Sequence, residues 1–303
     1  MKWFLAFISS LLPASLWAAA CCGGGSGGAQ VISGDFRYQV TMGMSYSSVI
    51  GEKYGEQSAY FWPEGRHQRT QLTRLSGLYA FDNGWQLGAG GEYLVRDYAL
   101  TTGGKSEEAG VGDSDLIATY EFMPELSYSA WKPRGFLSLT QRIPTGKSVE
   151  ESKDPYFADV TGDGQFASTL TLTLIKVRGE FDFMGQVGVT HRFARTIHQN
   201  NSKLGEGQSS QFFLDVGMSP GQGQWHLGFG VGGVLKDGRE TTKGGRVLRS
   251  SSELVWDVSP SISYAFDEAS ASLRYSDQTL LGPVKNTTLS RTLLLQYQWR
   301  AAL

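Results

Sequence analysis

The chain is almost without cysteine. Its two cysteines are the adjacent Cys21 and Cys22, and none follows them. No disulfide can therefore staple the fold, which must rest on backbone pairing and packing. Long apolar runs are missing too. Beyond the first twenty residues there is no uninterrupted apolar stretch long enough for a membrane-spanning helix. Charge is scarce: 18% of residues are charged, with a formal net charge of −2, where soluble domains usually carry about 25%. A nucleic-acid partner would call for a basic face, and none is available. Histidine is limited to His67, His191, His198 and His226.

Glycine (39 residues) and aromatics (12%) are abundant instead, with a slightly negative mean hydropathy. The first twenty residues stand apart. Lys2 precedes an apolar core from Trp3 to Leu12, and Ala18-Ala19-Ala20 offers small residues at a cleavage site. Residues 1–20 read as an export signal, removed before folding. Residues 21–33 read as a Cys/Gly/Ser-rich flexible leader. Three readings of the cysteine pair stand side by side. Cys21 is a lipidation candidate, although Ala18 replaces the usual Leu three residues earlier. Cleavage after Ala20 would instead leave two thiols, an incomplete site for a soft metal. The pair could also have no role.

From Asp35 onward apolar and polar residues alternate with period two, as in strands with one face in an apolar phase and one in a polar phase. Phe36, Tyr38, Val40, Met42, Met44 and Tyr46 share one face, and Trp85, Leu87, Ala89, Tyr93 and Val95 another. The run from Val177 to Phe193 is read as one strand, too long for a typical globular protein, whose strands are mostly about 5–6 residues. The pattern predicts an all-β protein, a single antiparallel transmembrane barrel of about twelve strands over residues 34–299, with a short tail at 300–303. Connection lengths agree. Asp82-Asn83-Gly84, Pro220-Gly221-Gln222-Gly223 and Asp267-Glu268-Ala269 are short, and around Ile175-Lys176 the alternation changes phase almost without a gap, whereas 47–68, 144–164 and 195–208 are long and polar. Short periplasmic turns and long outer loops place both termini in the periplasm. Residues 123–133 are the exception, a longer periplasmic link. Tyr79, Phe81, Trp85, Tyr264, Phe266, Tyr297 and Trp299 fall near periplasmic ends, as an interfacial girdle would. Tyr297-Gln298-Trp299 is similar to the C-terminal signal read by the outer-membrane barrel-assembly machinery, with Arg300 to Leu303 added after it.

Gly110-Val111-Gly112-Asp113-Ser114-Asp115-Leu116, followed by Tyr120, resembles a landmark strand of the family named after the meta-cleavage pathway of phenol degradation. Phe136 to Leu139, leading into Ile143-Pro144-Thr145-Gly146-Lys147, resembles its second landmark, and Leu78 to Gly88 its early hairpin. The resemblance spans residues 34–299. It implies an outer-membrane barrel and a channel or transporter for small solutes, hydrophobic or aromatic ones among them, its cargo assigned largely from gene context.

Other motifs have plainer readings. Thr145-Gly146-Lys147-Ser148 lacks the first Gly of a phosphate-binding loop, because Gln141 stands there. Asp159, Thr161 and Asp163, with Gly164, look like half a calcium loop, but Leu170 occupies the place of the bidentate Glu. No histidine is followed two residues later by Ser, as in an outer-membrane phospholipase, and His226 has no acidic partner nearby in sequence. No catalysis, cofactor or metal is expected. Assigning the polar strand faces inward gives lumen-lining candidates Arg37, Arg74, Arg96, Arg142, Arg178, Arg192 and Arg274, against Glu92, Asp115, Glu121, Glu180, Asp182, Asp215, Glu253 and Asp257. Their near balance predicts ion pairs bracing the interior more than a strongly ion-selective pore. Gly88, Gly90, Gly228, Gly230 and Gly232 leave room inside for a passage or for an N-terminal plug. The expected function is passage of a small solute across the outer membrane, after export through the inner membrane, with outer-membrane lipid as the surrounding partner. The alternatives are a non-conducting structural or binding barrel, tethered at Cys21, and an outer-membrane hydrolase.

Overall fold

Successive side chains of a strand point to opposite faces, so an alternating sequence satisfies two surroundings at once. The alternation is expressed as twelve long strands in the computed structural model, which describes residues 30–34, 36–55, 58–101, 103–127, 129–197, 201–281 and 284–302. The expected export signal and the cysteine pair lie outside the described residues. The strands are β1 (Tyr38–Lys53), β2 (His67–Ala80), β3 (Trp85–Ala99), β4 (Lys105–Met123), β5 (Arg134–Ile143) and β6 (Ala167–Arg178). They continue as β7 (Phe181–Arg192), β8 (Gly207–Met218), β9 (Trp225–Lys236), β10 (Glu253–Ala265), β11 (Ala269–Asp277) and β12 (Thr287–Ala301). Each pairs antiparallel with the next, and β12 returns to β1, from Tyr38 opposite Ala301 to Lys53 opposite Thr287. The sheet is a closed ring, which removes the edges that would otherwise invite aggregation.

The ring is inverted relative to a water-soluble protein. On β1, Val40, Met42 and Met44 are 41–51% exposed, whereas Gln39 and Thr41 between them are 2–3% exposed. Leu87, Leu139, Leu170, Val187, Leu214, Phe229 and Leu295 continue the outer belt, and Thr119, Ser138, Thr171, Thr173 and Gln298 are buried within. A belt this large is far beyond the apolar patches of soluble monomers. Hydrocarbon covers the half of each such side chain that its neighbours leave bare, a gain of about half the 1.5–3 kcal/mol of full burial.

The two ends of the ring differ. One carries the start of β1, the end of β12 and most of the short connections. Arg37 N donates to Ala301 O at 2.8 Å, and Phe81 N to Trp85 O at 2.8 Å across the β2–β3 turn. Aromatic rings stack around this turn end: Tyr79 on Phe81 at 4.6 Å, Trp85 on Tyr120 at 5.0 Å, and Trp225 on Tyr264 at 4.9 Å. The opposite, loop end carries the long connections. There Tyr60–Phe61 pairs with β1, and Arg195–Ile197, Ser202–Leu204, Glu240–Lys243 and Arg246–Arg249 form a separate small sheet.

Two expectations shift. The tight connection expected around Ile175-Lys176, before a strand from Val177 to Phe193, lies instead at Gly179-Glu180, with Arg178 opposite Phe181, so Val177 and Arg178 end the preceding strand. Gly179 takes φ +61°, which a tight hairpin needs and a side chain resists. Val177 falls by coincidence in the parity of the following outward face, so the alternation places the turn too early. At the other extreme, β12 runs two residues past Trp299, pairing Arg300 with Gln39.

Candidate functional site: the barrel lumen

The turn-end half of the lumen is filled. Ile32, in the span expected as flexible leader, is 2% exposed inside the ring. Its N–H donates to Gln86 Oε1 at 2.8 Å, and Gln86 Nε2 donates back to Ile32 O at 2.9 Å. Val31 packs against an apolar cluster of Phe136, Ile175, Met184 and Phe213. Gln30 Oε1 accepts from Ser76 Oγ at 2.7 Å. The N-terminal segment thus climbs from the turn end into the ring. The one sequence signal for it is an apolar pair, Val31-Ile32, placed just before the first strand.

Above this floor lies a cavity of about 420 Å³, lined by Gln30 below and by side chains of the loop-end half. Threonine and serine hydroxyls dominate its wall, including Thr140, Thr169, Thr190, Ser209, Thr288 and Ser290, and its described lining holds no aromatic ring. Arg74, Arg142, Arg192 and Lys236 bring positive charge, against Asp115 and Asp163.

The connection from β5 to β6 is fastened to the rim by the two sequence landmarks. Asp113 Oδ1 accepts from Gly146 N at 3.1 Å and its Oδ2 from Asp163 N at 3.0 Å. Thr145 Oγ1 donates to Gly112 O at 2.7 Å. Gly146 and Gly162 meet backbone to backbone, and a Cβ on either would lie 2.9 Å from the other's Cα. The expected half calcium loop spends its oxygens on protein donors. Lys147 Nζ and Ser152 Oγ donate to Asp159, and Lys147 N donates to Thr161 Oγ1 at 2.9 Å. Partial burial pushes the Asp159 carboxyl up, but its hydrogen bonds outweigh this and hold it at about 2. Among the described residues no group of three or more His, Cys, Asp or Glu side chains is arranged to hold a metal.

The lumen-lining candidates separate into four groups. Around the cavity, Arg74 reaches Glu92 at 2.9 Å and Asp115 at 2.5 Å, and Arg142 reaches Asp115 at 3.2 Å. Arg192 donates to Ser209 Oγ at 3.2 Å. At the loop rim, Lys236 pairs with Glu253 at 3.3 Å, and Asp257 accepts from Ser276 Oγ at 2.8 Å. Arg96 stands between Thr70 and Glu108 in register, with its buried Nε lacking a hydrogen-bond partner. In the filled half, Asp215 pairs with Arg274 at 3.2 Å, Asp182 meets His226, and Glu121 pairs with Arg134 at 2.8 Å near the turn end. Three candidates lie elsewhere. Arg37 pairs with Asp82 in an exposed turn, because it precedes the first paired residue of β1. Arg178 precedes the displaced β6–β7 turn and Glu180 lies in it, so Arg178 stacks on Trp131 at 4.8 Å and Glu180 accepts from Gly221 N at 3.0 Å. The glycines expected to leave room are closely packed: a Cβ on Gly90 would lie 3.1 Å from Ser76, and one on Gly230 2.6 Å from Phe213.

His226 has the acidic partner that its sequence neighbourhood lacks. Its Nε2 lies 2.7 Å from Asp182 Oδ2, and Ser263 Oγ lies 3.3 Å from its Nδ1. The order Ser, His, Asp is that of a hydrolytic triad. The adjoining void is about 10 Å³, at the lower limit for one water. Ser263 is 5% exposed, so no ester or peptide can approach its hydroxyl, and the trio braces the wall.

No family model and no curated relative matches the chain. Solved structures do. An outer membrane channel from Pseudomonas putida F1 superposes with a TM-score of 0.66 at 14% identity, over 90% of this chain and 100% of that one. The NanC porin matches with a TM-score of 0.47 at 8% identity, over 86% of this chain and 100% of that one. The closed antiparallel ring and the first of these likenesses establish the fold as that of an outer-membrane β-barrel, with twelve strands.

Proposed function

We propose that the chain is an outer-membrane channel through which a small solute passes chemically unchanged. The observation that carries this reading is a hydroxyl- and guanidinium-lined cavity of about 420 Å³, inside a ring whose outer face is apolar. A ring with that outer face belongs in hydrocarbon, and the short turns on one end orient that end toward the periplasm. The start of β1 and the end of β12 then face the periplasm, lipid surrounds the belt, and Tyr297-Gln298-Trp299 in the last turn-end stretch of β12 is the segment offered to the barrel-assembly machinery. The P. putida protein with the same fold is described as a channel, which agrees with this reading.

A second reading has its own observation. The cluster around Val31 fills the turn-end half, as in a non-conducting binding barrel, which a lipid on Cys21 would tether. Planar-bilayer recording separates the two. The channel reading expects discrete conductance steps from the purified barrel. A sealed barrel that also admits no solute into liposomes would leave the second reading in place.

A further inference from the structure

We propose that the cavity is a binding site for a small hydroxylated carboxylate, of the sugar-acid class, with Arg142 and Arg192 as the clamp for its acid group. The inference deepens the channel reading by naming the solute's chemistry, and it rests on that reading for its biological sense.

Three guanidinium groups from β2, β5 and β7 line the cavity: Arg74, Arg142 and Arg192. Their carboxylate partners are not equally placed. Asp115, itself part of the lining, is only 2% exposed on its side chain and is engaged by both Arg74 and Arg142, at 2.5 and 3.2 Å. Glu92, 14% exposed, holds Arg74 from the side. These acids fix the arginines and leave the cationic faces toward the cavity. At the rim, Lys236 and Glu253 face each other at 3.3 Å and cancel locally.

Arg192 is held differently. Its Nη1 donates to a neutral hydroxyl, Ser209 Oγ, and its closest carboxylate is Asp163 Oδ2, 3.6 Å from Nε. The same oxygen lies 3.9 Å from Arg142 Nη1. Both distances exceed the 2.7–2.9 Å of a charge-assisted hydrogen bond. Asp163 therefore stands between two guanidinium groups and bonds closely to neither. It rides on the β5–β6 connection, positioned through its backbone N–H by Asp113, and its side chain is 46% exposed. The chain's own loop thus puts a carboxylate where a clamp for carboxylates exists, leaving each guanidinium able to bond a better-placed one. Around this charge the wall supplies hydroxyls, from Thr169, Thr190, Thr288 and Ser290, suited to a solute that carries hydroxyls of its own. An arginine pair takes a carboxylate through parallel N–H donors, while Ile117, Ala167, Val234 and Val255 are the apolar minority of a wall that is mostly hydroxyl, amide and charge.

Titration calorimetry on the detergent-solubilised barrel tests this with D-glucuronate as probe, and glucose and benzoate as comparators. Glucuronate should bind at least about tenfold more tightly than either. Arg192→Gln should weaken it by about tenfold, the scale of one lost charged hydrogen bond. Asp163→Asn should strengthen it several-fold by removing the internal competitor while keeping the backbone bond to Asp113. If Arg192→Gln does not fold, the Asp163→Asn effect decides. Equal affinity for glucuronate and glucose, tighter benzoate binding, or no response to Asp163→Asn would overturn the site. The failures are distinguishable: a barrel that binds glucuronate but never conducts loses the channel reading alone, and one that conducts without binding glucuronate loses the site alone.

Discussion

Arg274 and Asp215 face each other at 3.2 Å with less than a tenth of either side chain exposed. Arg274 also lies over the Phe213 ring at 5.0 Å, next to the cluster that receives Val31. Removing one member of a buried pair strands the other charge, which costs about 3–5 kcal/mol. Arg274→Met should therefore destabilise the barrel by about 3 kcal/mol, seen as a lower temperature for losing the compact, heat-modifiable band in electrophoresis. The double variant Arg274→Met/Asp215→Asn should regain much of that loss. Equal melting of Arg274→Met and wild type would sink the bracing role. At this scale the sequence shows which residues can pair but not which do. Asp182 and His226 are 44 positions apart. They meet only because β7, β8 and β9 are neighbours and Gly217 on β8 has no Cβ to separate them; one there would sit 2.6 Å from Asp182.

Among the elements, the β5–β6 connection has the most consequence for function, since it carries Asp163 into the cavity. Its fastening through Asp159 has a definite pH dependence. The carboxyl lies at about 2 in the fold against an ordinary 3.8. A depressed carboxylate stabilises the fold above its unfolded value and loses that contribution as pH falls through the folded one. Anchoring should therefore be complete above about pH 4 and fade toward about pH 2. Pepsin digestion at stepped pH should find residues 144–165 protected at the upper limit and cut at the lower. The Asp159→Asn variant should be cut at both, and a wild type equally protected at both would refute the anchor. The two landmark motifs are visible in the sequence as unusual strings. That one fastens the other, through Asp113 and the Gly146–Gly162 contact, is a matter of tertiary placement.

At the scale of the whole molecule, the ring is filled at one end and open at the other, and the N-terminal segment divides the two. Val31 and Ile32 are its apolar hold on the interior. Replacing both with Gly forfeits about 1.5–3 kcal/mol of burial at Ile32 and less at the partly buried Val31, which shifts the segment toward a place outside the lumen. Single-channel conductance of Val31→Gly/Ile32→Gly should rise clearly above wild type. Unchanged conductance would mean that the segment does not obstruct the path. The sequence by itself determined the class of fold, the number of strands and, away from the turns, which face of each strand points outward, because a strand between two unlike surroundings must alternate along its whole length. Tertiary structure alone decided which charges meet across the lumen, that Arg178 and Glu180 turn away from it, and that Gln30 to Ile32 enter it. Those outcomes depend on register and on contacts between residues far apart in the chain, and alternation, being a local property, carries no record of them.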